Sequence, residues 1–410
     1  MDLRVEHECP SCGKVMSLGE RDRLAHCPSC FDQTYLVKPS LPRAVLADRI
    51  PAEVDGSDIF YYPYMRFKGV IYTSFVDRVT HRLLDVTQQA RTEAVAPPSL
   101  GDRVRGTRLT RVHRAMRGRF IRKSLPTGDI LQRAAARAEQ SIDERSRPFI
   151  HQVFVSEVVS CIYLPLYRVG DTIFDGATGR SLGAKKLWQS ALHQTISFQP
   201  HWQSNFLSTL CPHCGDVLEG GADSSVMHCR QCDTCWLEDE GTFVSVPYGY
   251  VPMQGEDVAH LPFWRLRVRC DQPKLYTLAD LILATNRPIL IKADHKRAEL
   301  MIWVPGFTMA PAAFLNAARH LTLAQLSVPP VRGAYRGKLA SVSVSLTEAM
   351  GTLKTVFAHI VEKRGDILNH LADITLSCRD GALVYLPFQK RGPVSVQPHT
   401  SLNIEEFERN

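Results

Sequence analysis

Eight cysteines in two groups carry the strongest chemical signal in this chain. The first group is Cys9-Pro10-Ser11-Cys12-Gly13, followed after fourteen intervening residues by Cys27-Pro28-Ser29-Cys30. The second is Cys211-Pro212-His213-Cys214-Gly215, followed at the same interval by Cys229-Arg230-Gln231-Cys232. In a Cys-x-x-Cys knuckle the backbone turns so tightly that both thiolates face one ion, and a second knuckle completes a tetrahedral four-sulfur site for Zn²⁺. Pro and Gly at fixed places suit that turn. The spacing therefore predicts two structural zinc ions per chain, one on Cys9, Cys12, Cys27 and Cys30 and one on Cys211, Cys214, Cys229 and Cys232. Four thiolates close each site and leave no open position for catalysis.

Disulfides and a thioredoxin-like redox pair are the competing chemistries, and each fails on context. The segment Met1-Asp2-Leu3-Arg4-Val5-Glu6-His7-Glu8 is charged and lacks the apolar run of a secretory signal. That predicts a reducing, cytoplasmic setting in which disulfides are rare. A redox Cys-x-x-Cys needs a strand and helix before it, for which Cys9 leaves no room. His26 and His228, each immediately before a knuckle cysteine, read as flanking residues rather than ligands. The second group keeps one ambiguity, because Cys232 and Cys235 form an overlapping knuckle whose interval from Cys214 fits the usual spacing of roughly 15 to 20 residues. The match of His228-Cys229 to His26-Cys27 favours Cys229 with Cys232, and leaves Cys235 a spare thiol before Trp236.

The elements that position these knuckles also recur. The cysteine groups are offset by 202 residues, and a second pair of segments is offset by 199. These are the aromatic-rich strand patterns from Gly56 to Phe67 and from Gly255 to Leu266, in which Gly, Asp, Pro and Arg coincide in register. The agreement predicts an α+β protein built by tandem duplication of a unit near 200 residues. Its expected parts are a zinc ribbon at 1–38, a β-rich mixed domain at 39–200, a second ribbon at 201–247 and a second β-rich domain at 248–410. The segments Tyr163–Arg168, Tyr385–Lys390 and Ile302–Phe307 are looser copies of the proline-centred strand, the first two following the lone cysteines Cys161 and Cys378. Proline removes a ladder donor, so each such strand is expected at a sheet edge, a bulge or its own end. The aromatics Phe60, Tyr61, Tyr62, Tyr64 and Phe67 read as sheet core rather than a stacking platform for bases.

Helical patterns are fewer. Ile130 to Arg147 reads as an exposed, Ala-rich helix, Ala312 to Gln325 as one that packs on a sheet, and Leu346 to Leu371 as one long amphipathic helix. A hairpin turn is expected over Phe174–Arg180.

With 410 residues, 44% hydrophobic and 22% charged, the chain has the make-up of a globular protein of several domains, and it holds no apolar run long enough for a transmembrane helix. Its net charge of +7 is local. Nine cations (Arg103, Arg105, Arg108, Arg111, Arg114, Arg117, Arg119, Arg122, Lys123) and no acid fall within one stretch, more than the whole net charge. A short helix from a Thr107 cap to Gly118 would align Arg108, Arg111, Arg114 and Arg117 as a stripe suited to a phosphate backbone or an acidic protein. The other reading is a solvated surface.

The Walker A, dinucleotide-binding, zincin and nucleophile-elbow motifs are all missing, which lowers the expectation of an enzyme. The four-cysteine units themselves resemble the zinc ribbons of transcription factors, ribosomal proteins and many bacterial proteins, some of which follow the ribbon with a strand similar to Leu261-Pro262-Phe263-Trp264. The resemblance covers about a fifth of the chain. It implies small metal-held domains and leaves activity open, since ribbons serve as nucleic-acid readers, protein docks and struts. The expected function is a non-catalytic adaptor or assembly subunit docking a partner protein. The alternative is nucleic-acid binding through Arg103, Arg105, Arg108, Arg111, Arg114 and Arg117, with a ribbon assisting.

Overall fold

The computed structural model describes residues 3–39, 41–75, 78–93, 95–104, 109–138, 149–255, 257–326, 339–361 and 366–405. The chain is mixed α+β and divides into two compact units that are not contiguous in sequence. Unit 1 comprises Met1–Gly69, Leu83–Ser146 and Ser156–Ser208, and unit 2 comprises Val70–Arg82, Arg147–Val155 and Thr209–Asn410.

Unit 1 opens with β1 (Arg4–Glu8), β2 (Val15–Gly19), β3 (Leu24–His26) and β4 (Gln33–Val37), and continues with β5 (Arg43–Leu46), β6 (Ile59–Ser74) and β7 (Val79–Gln89), of which residues 70–74 and 79–82 count with unit 2. Then come β8 (Leu109–Arg111), β9 (Arg119–Ile121), helix α1 (Thr127–Ala138), β10 (His151–Val169, its residues 151–155 counting with unit 2), β11 (Thr172–Asp175), β12 (Ser181–Ala184), α2 (Lys185–His193), β13 (Thr195–Ile196) and β14 (Asn205–Ser208). An eleven-stranded sheet runs β13-β9-β6-β10-β5-β8-β1-β2, with β7 paired to β6 and β11–β12 folded onto β10. Because side chains alternate along a strand, β6 fills both faces of the sheet. Phe60, Tyr62 and Tyr64 join a core with Leu164, Leu166 and Trp188, while Tyr61 stacks on Phe120 at 4.7 Å. The aromatic strand is core, as its pattern implied.

Unit 2 contains β15 (Val226–Cys229), β16 (Thr234–Asp239), β17 (Thr242–Val246), β18 (Tyr248–Tyr250), β19 (Val258–Arg269), α3 (Leu278–Ala284), α4 (Ala293–Arg297) and β20 (Met301–Pro305). After α5 (Pro311–Ala324), α6 (Leu346–Gly351) and α7 (Leu353–Ile360) it ends with β21 (Ser377–Arg391), β22 (Val394–Val396) and β23 (Asn403–Glu405). Its main sheet is β20-β19-β21-β22-β23 with β18 parallel to β21. Here β19 is again two-faced. Leu261 and Phe263 enter one core with Trp303 and Leu386, and Trp264, Leu266 and Val268 enter another with Phe357.

The same pairings occur inside each unit. The short strand after the ribbon is parallel to the long C-terminal strand in both, Tyr163 lying opposite Val45 and Tyr385 opposite Tyr250. A glycine in left-handed conformation, Gly170 (φ 56°) or Gly392 (φ 62°), turns that long strand into its antiparallel successor. The following turn is built on a buried side chain each time. Asp175 Oδ1 accepts from the N–H groups of Ala177 and Thr178 at 2.9 and 3.0 Å, and Gln397 Oε1 accepts from those of His399 and Thr400 at 2.9 and 2.7 Å.

The prolines correct an expectation. Pro63, Pro165 and Pro262 lie inside β6, β10 and β19, each paired on both sides rather than at an edge. What makes this tolerable is that the neighbouring strand stops there. Ala90, just past β7, donates to Pro63 O at 3.1 Å, Gly176, just past β11, to Pro165 O at 2.8 Å, and Gly306, just past β20, to Pro262 O at 2.8 Å. The missing proline N–H thus faces a strand end instead of interrupting a continuing ladder.

Three helical expectations also change. The expected helix from Leu346 is two helices, α6 and α7, because Gly351 is followed by Thr352, whose hydroxyl bonds back to Ala349 O at 2.8 Å; a bend is the usual result. The Ile130–Arg147 pattern is helical to Ala138, and its remainder lies outside the described residues. Thr107, Arg105 and Arg108 also lie outside them, and the rest of the supposed arginine helix is β8, a turn and β9. With β-branched Thr110, Val112 and Ile121 in this stretch, sheet pairing outweighs weak helical periodicity. The guanidinium stripe therefore does not form over these residues. Among the described residues no helix is long and apolar enough to cross a membrane.

Candidate metal centres

Each cysteine group converges. In both quartets, Cys9, Cys12, Cys27, Cys30 and Cys211, Cys214, Cys229, Cys232, the four Sγ atoms lie within 4.8 Å of one another. The closest cross-knuckle pairs are Cys9–Cys30 at 3.7 Å and Cys12–Cys27 at 3.6 Å, and Cys211–Cys232 and Cys214–Cys229 at 3.5 Å each. A disulfide requires about 2.05 Å, so these are not bonded sulfurs. A tetrahedral ion with metal–sulfur bonds of about 2.3 Å sets its ligands about 3.8 Å apart. The residues present therefore fit Zn²⁺.

The knuckles are built by the same hydrogen bonds. Gly13 donates to Cys9 O at 2.9 Å and Gly215 to Cys211 O at 2.9 Å, both glycines in the left-handed region at φ 72° and 80°. Cys9 N–H donates to Lys14 O at 2.9 Å, and Cys211 N–H to Asp216 O at 2.7 Å. In the second knuckles the residue after the fourth cysteine is left-handed too, Phe31 at φ 61° and Asp233 at φ 53°. One partner of each pair is buried (Cys9, Cys27, Cys211, Cys229), which anchors the site to its hairpin. In the first ribbon Cys9 and Cys27 pack with Met16, Leu18, Ala25 and Leu36.

Groups around the sulfurs orient them. Ser29 N–H points at Cys27 Sγ at 3.4 Å. In the second site Thr234 Oγ1 lies 3.1 Å from Cys232 Sγ and 3.8 Å from Cys211 Sγ, and it accepts from Trp236 Nε1 at 2.8 Å. Accepting from the indole on one side, the hydroxyl can donate its own proton to a thiolate on the other, which favours the charged form a metal needs. Nothing in the cysteine spacing signalled Thr234 or Trp236.

Cys235 stands apart from the quartet. It is 1% exposed, opposite Val246 on β17, and packs among Val226, Val246 and Tyr385. Burial pushes its thiol well above the ordinary range, and its sulfur is not one of the four that converge. His26 is exposed, and neither His26 nor His228 belongs to a quartet. His228 Nε2 instead lies 3.3 Å from Asp233 Oδ1 and 3.4 Å from Tyr248 Oη, and Tyr248 donates to the same carboxylate oxygen. That network ties the second knuckle to β18 inside unit 2.

The basic segment is dispersed. Arg114, Arg117, Arg119, Arg122 and Lys123 are exposed, whereas Arg111 is partly buried on β8. Of Arg103, the side chain lies outside the described set. Arg66, in the aromatic strand, is 4% exposed and pairs with Glu20 at 3.0 Å and with Asp85. Cys161 is buried, its thiol pushed up to about 11 by desolvation, as expected of an inert core thiol. Compared with known proteins, the chain matches no family model, no curated protein and no solved structure.

Proposed function

We propose that this protein is a non-catalytic adaptor whose two zinc ribbons are rigid mounts for docking a partner protein. The observation that carries this reading is Phe31. It is 84% exposed and held at φ 61°, a conformation that suits Gly, Asn or Asp and is unfavourable for a bulky side chain. Neither packing nor backbone geometry calls for an aromatic there, and strain kept at an exposed position points to use. Val15, 60% exposed, belongs to the same ribbon. In the second ribbon Val217, the counterpart of Val15 at the 202-residue offset, is 49% exposed, and Leu210 is 52% exposed beside Cys211. Apolar side chains fixed on metal-braced turns lose little entropy on binding, which is what an interface anchor needs.

Zinc is the metal assigned to both quartets. The matching knuckle geometry and strand pairings further support descent of the two halves by tandem duplication. The test is affinity capture with purified protein as bait, with and without nuclease. A partner that survives nuclease, and is lost with Phe31→Glu or Val217→Glu while both zinc ions are retained, supports the adaptor; a partner indifferent to both substitutions rejects it.

Nucleic-acid binding is a second reading, favoured by the exposed set Arg114, Arg117, Arg119, Arg122 and Lys123. It requires affinity to fall with salt by about 0.7 to 0.9 log units per phosphate contact per decade. Gln at Arg114, Arg117 and Arg119 should flatten that slope, and an unchanged slope rejects the reading.

A further inference from the structure

The 202-residue offset that relates the two cysteine quartets also pairs Thr234 with Asp32, Trp236 with Thr34 and Asp233 with Phe31, so the groups around the two sites can be compared position by position. At the second quartet the Thr234 hydroxyl lies 3.1 Å from Cys232 Sγ and 3.8 Å from Cys211 Sγ, and Trp236 Nε1 donates to it at 2.8 Å. An indole N–H can only donate, so it occupies an acceptor position of the hydroxyl and leaves the hydroxyl proton for the sulfurs. A hydrogen bond given to a thiolate favours the charged form over the thiol and fixes its direction toward the ion.

The first quartet is built differently at the same places. Asp32 puts a carboxylate where Thr234 puts a hydroxyl, and a carboxylate accepts rather than donates. It takes the Ser11 hydroxyl, Oγ donating to Asp32 Oδ2. Four thiolates on one Zn²⁺ leave an excess of negative charge, which a hydroxyl proton offsets and a carboxylate increases. Thr34, in place of Trp236, is a buried residue of β4 with no indole to offer. Backbone donors serve both quartets, Ser29 N–H at Cys27 Sγ in the first and the His213 and Cys214 N–H groups at Cys211 Sγ in the second, so the side chains make the difference. The turn after the fourth ligand differs in the same sense. Asp233 accepts from Tyr248 and lies 3.3 Å from His228 Nε2, which fastens the second knuckle to β18, whereas Phe31 stands exposed. Cys12 and Cys30 are both exposed in the first quartet, whereas in the second Cys214 is exposed and Cys232 half-buried.

We propose that Thr234 is a positioning residue that holds the second zinc ion fast, and that the first ribbon, with Asp32 in its place, is the exchangeable site. The first ribbon yields its ion to a competing thiol or aminocarboxylate ligand while the second keeps its own. The inference rests on the zinc assignment and on neither the adaptor nor the nucleic-acid reading. Exchange moves Zn²⁺ from one set of donors to another without change of oxidation state, each freed thiolate taking a proton from the buffer as a donor of the competitor replaces it.

The experiment uses the full chain, with elemental analysis first counting its zinc; fewer than two ions rejects the zinc assignment and this inference with it. The loaded chain is then mixed with excess EDTA and iodoacetamide, and peptide mass mapping follows which cysteines become alkylated as zinc leaves. Cys9, Cys12, Cys27 and Cys30 should be modified first, and Cys211, Cys214, Cys229 and Cys232 at least about tenfold more slowly, the usual scale of a group that orients a metal ligand. Thr234→Val, which keeps the shape and deletes the hydroxyl, should speed the second set about tenfold and leave the first unchanged. Thr234→Ser should restore the slow release. If Thr234→Val does not retain its second ion, Trp236→Phe serves in its place and should speed the second set alone. Release of both ions together, release of the second ion first, or an unchanged second set in these variants overturns the proposal. A Thr234→Ser chain as fast as Thr234→Val overturns it too, because the methyl group and not the hydroxyl would then be the cause.

Discussion

Gly306 donates its N–H to the carbonyl oxygen of Pro262 at 2.8 Å, and a Cβ added at Gly306 would stand 3.1 Å from that same oxygen. The backbones approach closely because β20 ends at Pro305 and the chain turns away across the face of the proline. Gly306→Ala should therefore cost about 1 to 3 kcal/mol, the usual range for forcing atoms into a filled space. Gly128 is the control, since a Cβ there meets nothing within 4 Å. Gly128→Ala should be neutral or stabilising by up to about 1 kcal/mol. Denaturation midpoints of the two variants, compared with wild type, check the difference; equal midpoints would remove the close-approach argument.

Metal content discriminates the ligand sets. The chain should carry two Zn²⁺, and Cys229→Ser should carry one, with the ribbon around Cys211 unfolding because binding energy is folding energy in such sites. Cys235→Ser should keep both ions. It should still lose about 1 to 3 kcal/mol, since the hydroxyl enters a core of Val226, Val246 and Tyr385. Elemental analysis beside thermal melts separates the two effects. A Cys235 variant with one zinc would transfer the ligand role to Cys235.

The quartets were legible because ligand spacing is local: two residues of turn and a fixed interval determine which sulfurs meet. The aromatic strands were legible too, as continuous apolar runs about Pro63 and Pro262. Their central position was not, because a proline's tolerance depends on where the neighbouring strand stops, and Ala90 and Gly306 are distant in sequence. The arginine segment failed for a related reason. Arg111 is placed by pairing with Ala44 and by the parallel neighbour β1, and no period within 103–123 encodes those partners. Thr234 and Tyr248 act on the second site through side-chain hydrogen bonds that no spacing rule anticipates.

Stability should rise with pH above neutrality through Lys38. Its ammonium is brought down to about 7 by burial and by Arg23 and Arg111, whereas in the unfolded chain it titrates near 10.4. Below about pH 7 the folded state carries the penalty of a charged lysine in full. Between about 7 and 10 the unfolded state holds a proton that the folded state has released, so stability increases with pH across that window. Lys38→Met should raise the melting temperature at pH 7 and flatten the rise toward pH 9. Parallel profiles for variant and wild type would show that Lys38 is not the source.

Phe31 offers the sharpest separation of stability from use. Its backbone lies at φ 61° with the ring 84% exposed, so the residue bears the left-handed penalty of about 1 to 2 kcal/mol with little burial in return. Asn and Gly relieve that strain. At the corresponding turn of the second ribbon Asp233 occupies φ 53°, and its carboxylate is engaged by Tyr248 and His228. There the left-handed residue is explained by its bonds; at Phe31 it is not. Phe31→Asn should accordingly slow amide exchange in the first ribbon and raise its resistance to chelator, while abolishing capture of the docked partner. A variant that gains stability and still captures the partner would mean the ring is incidental. One that loses both would mean the ring supports the fold.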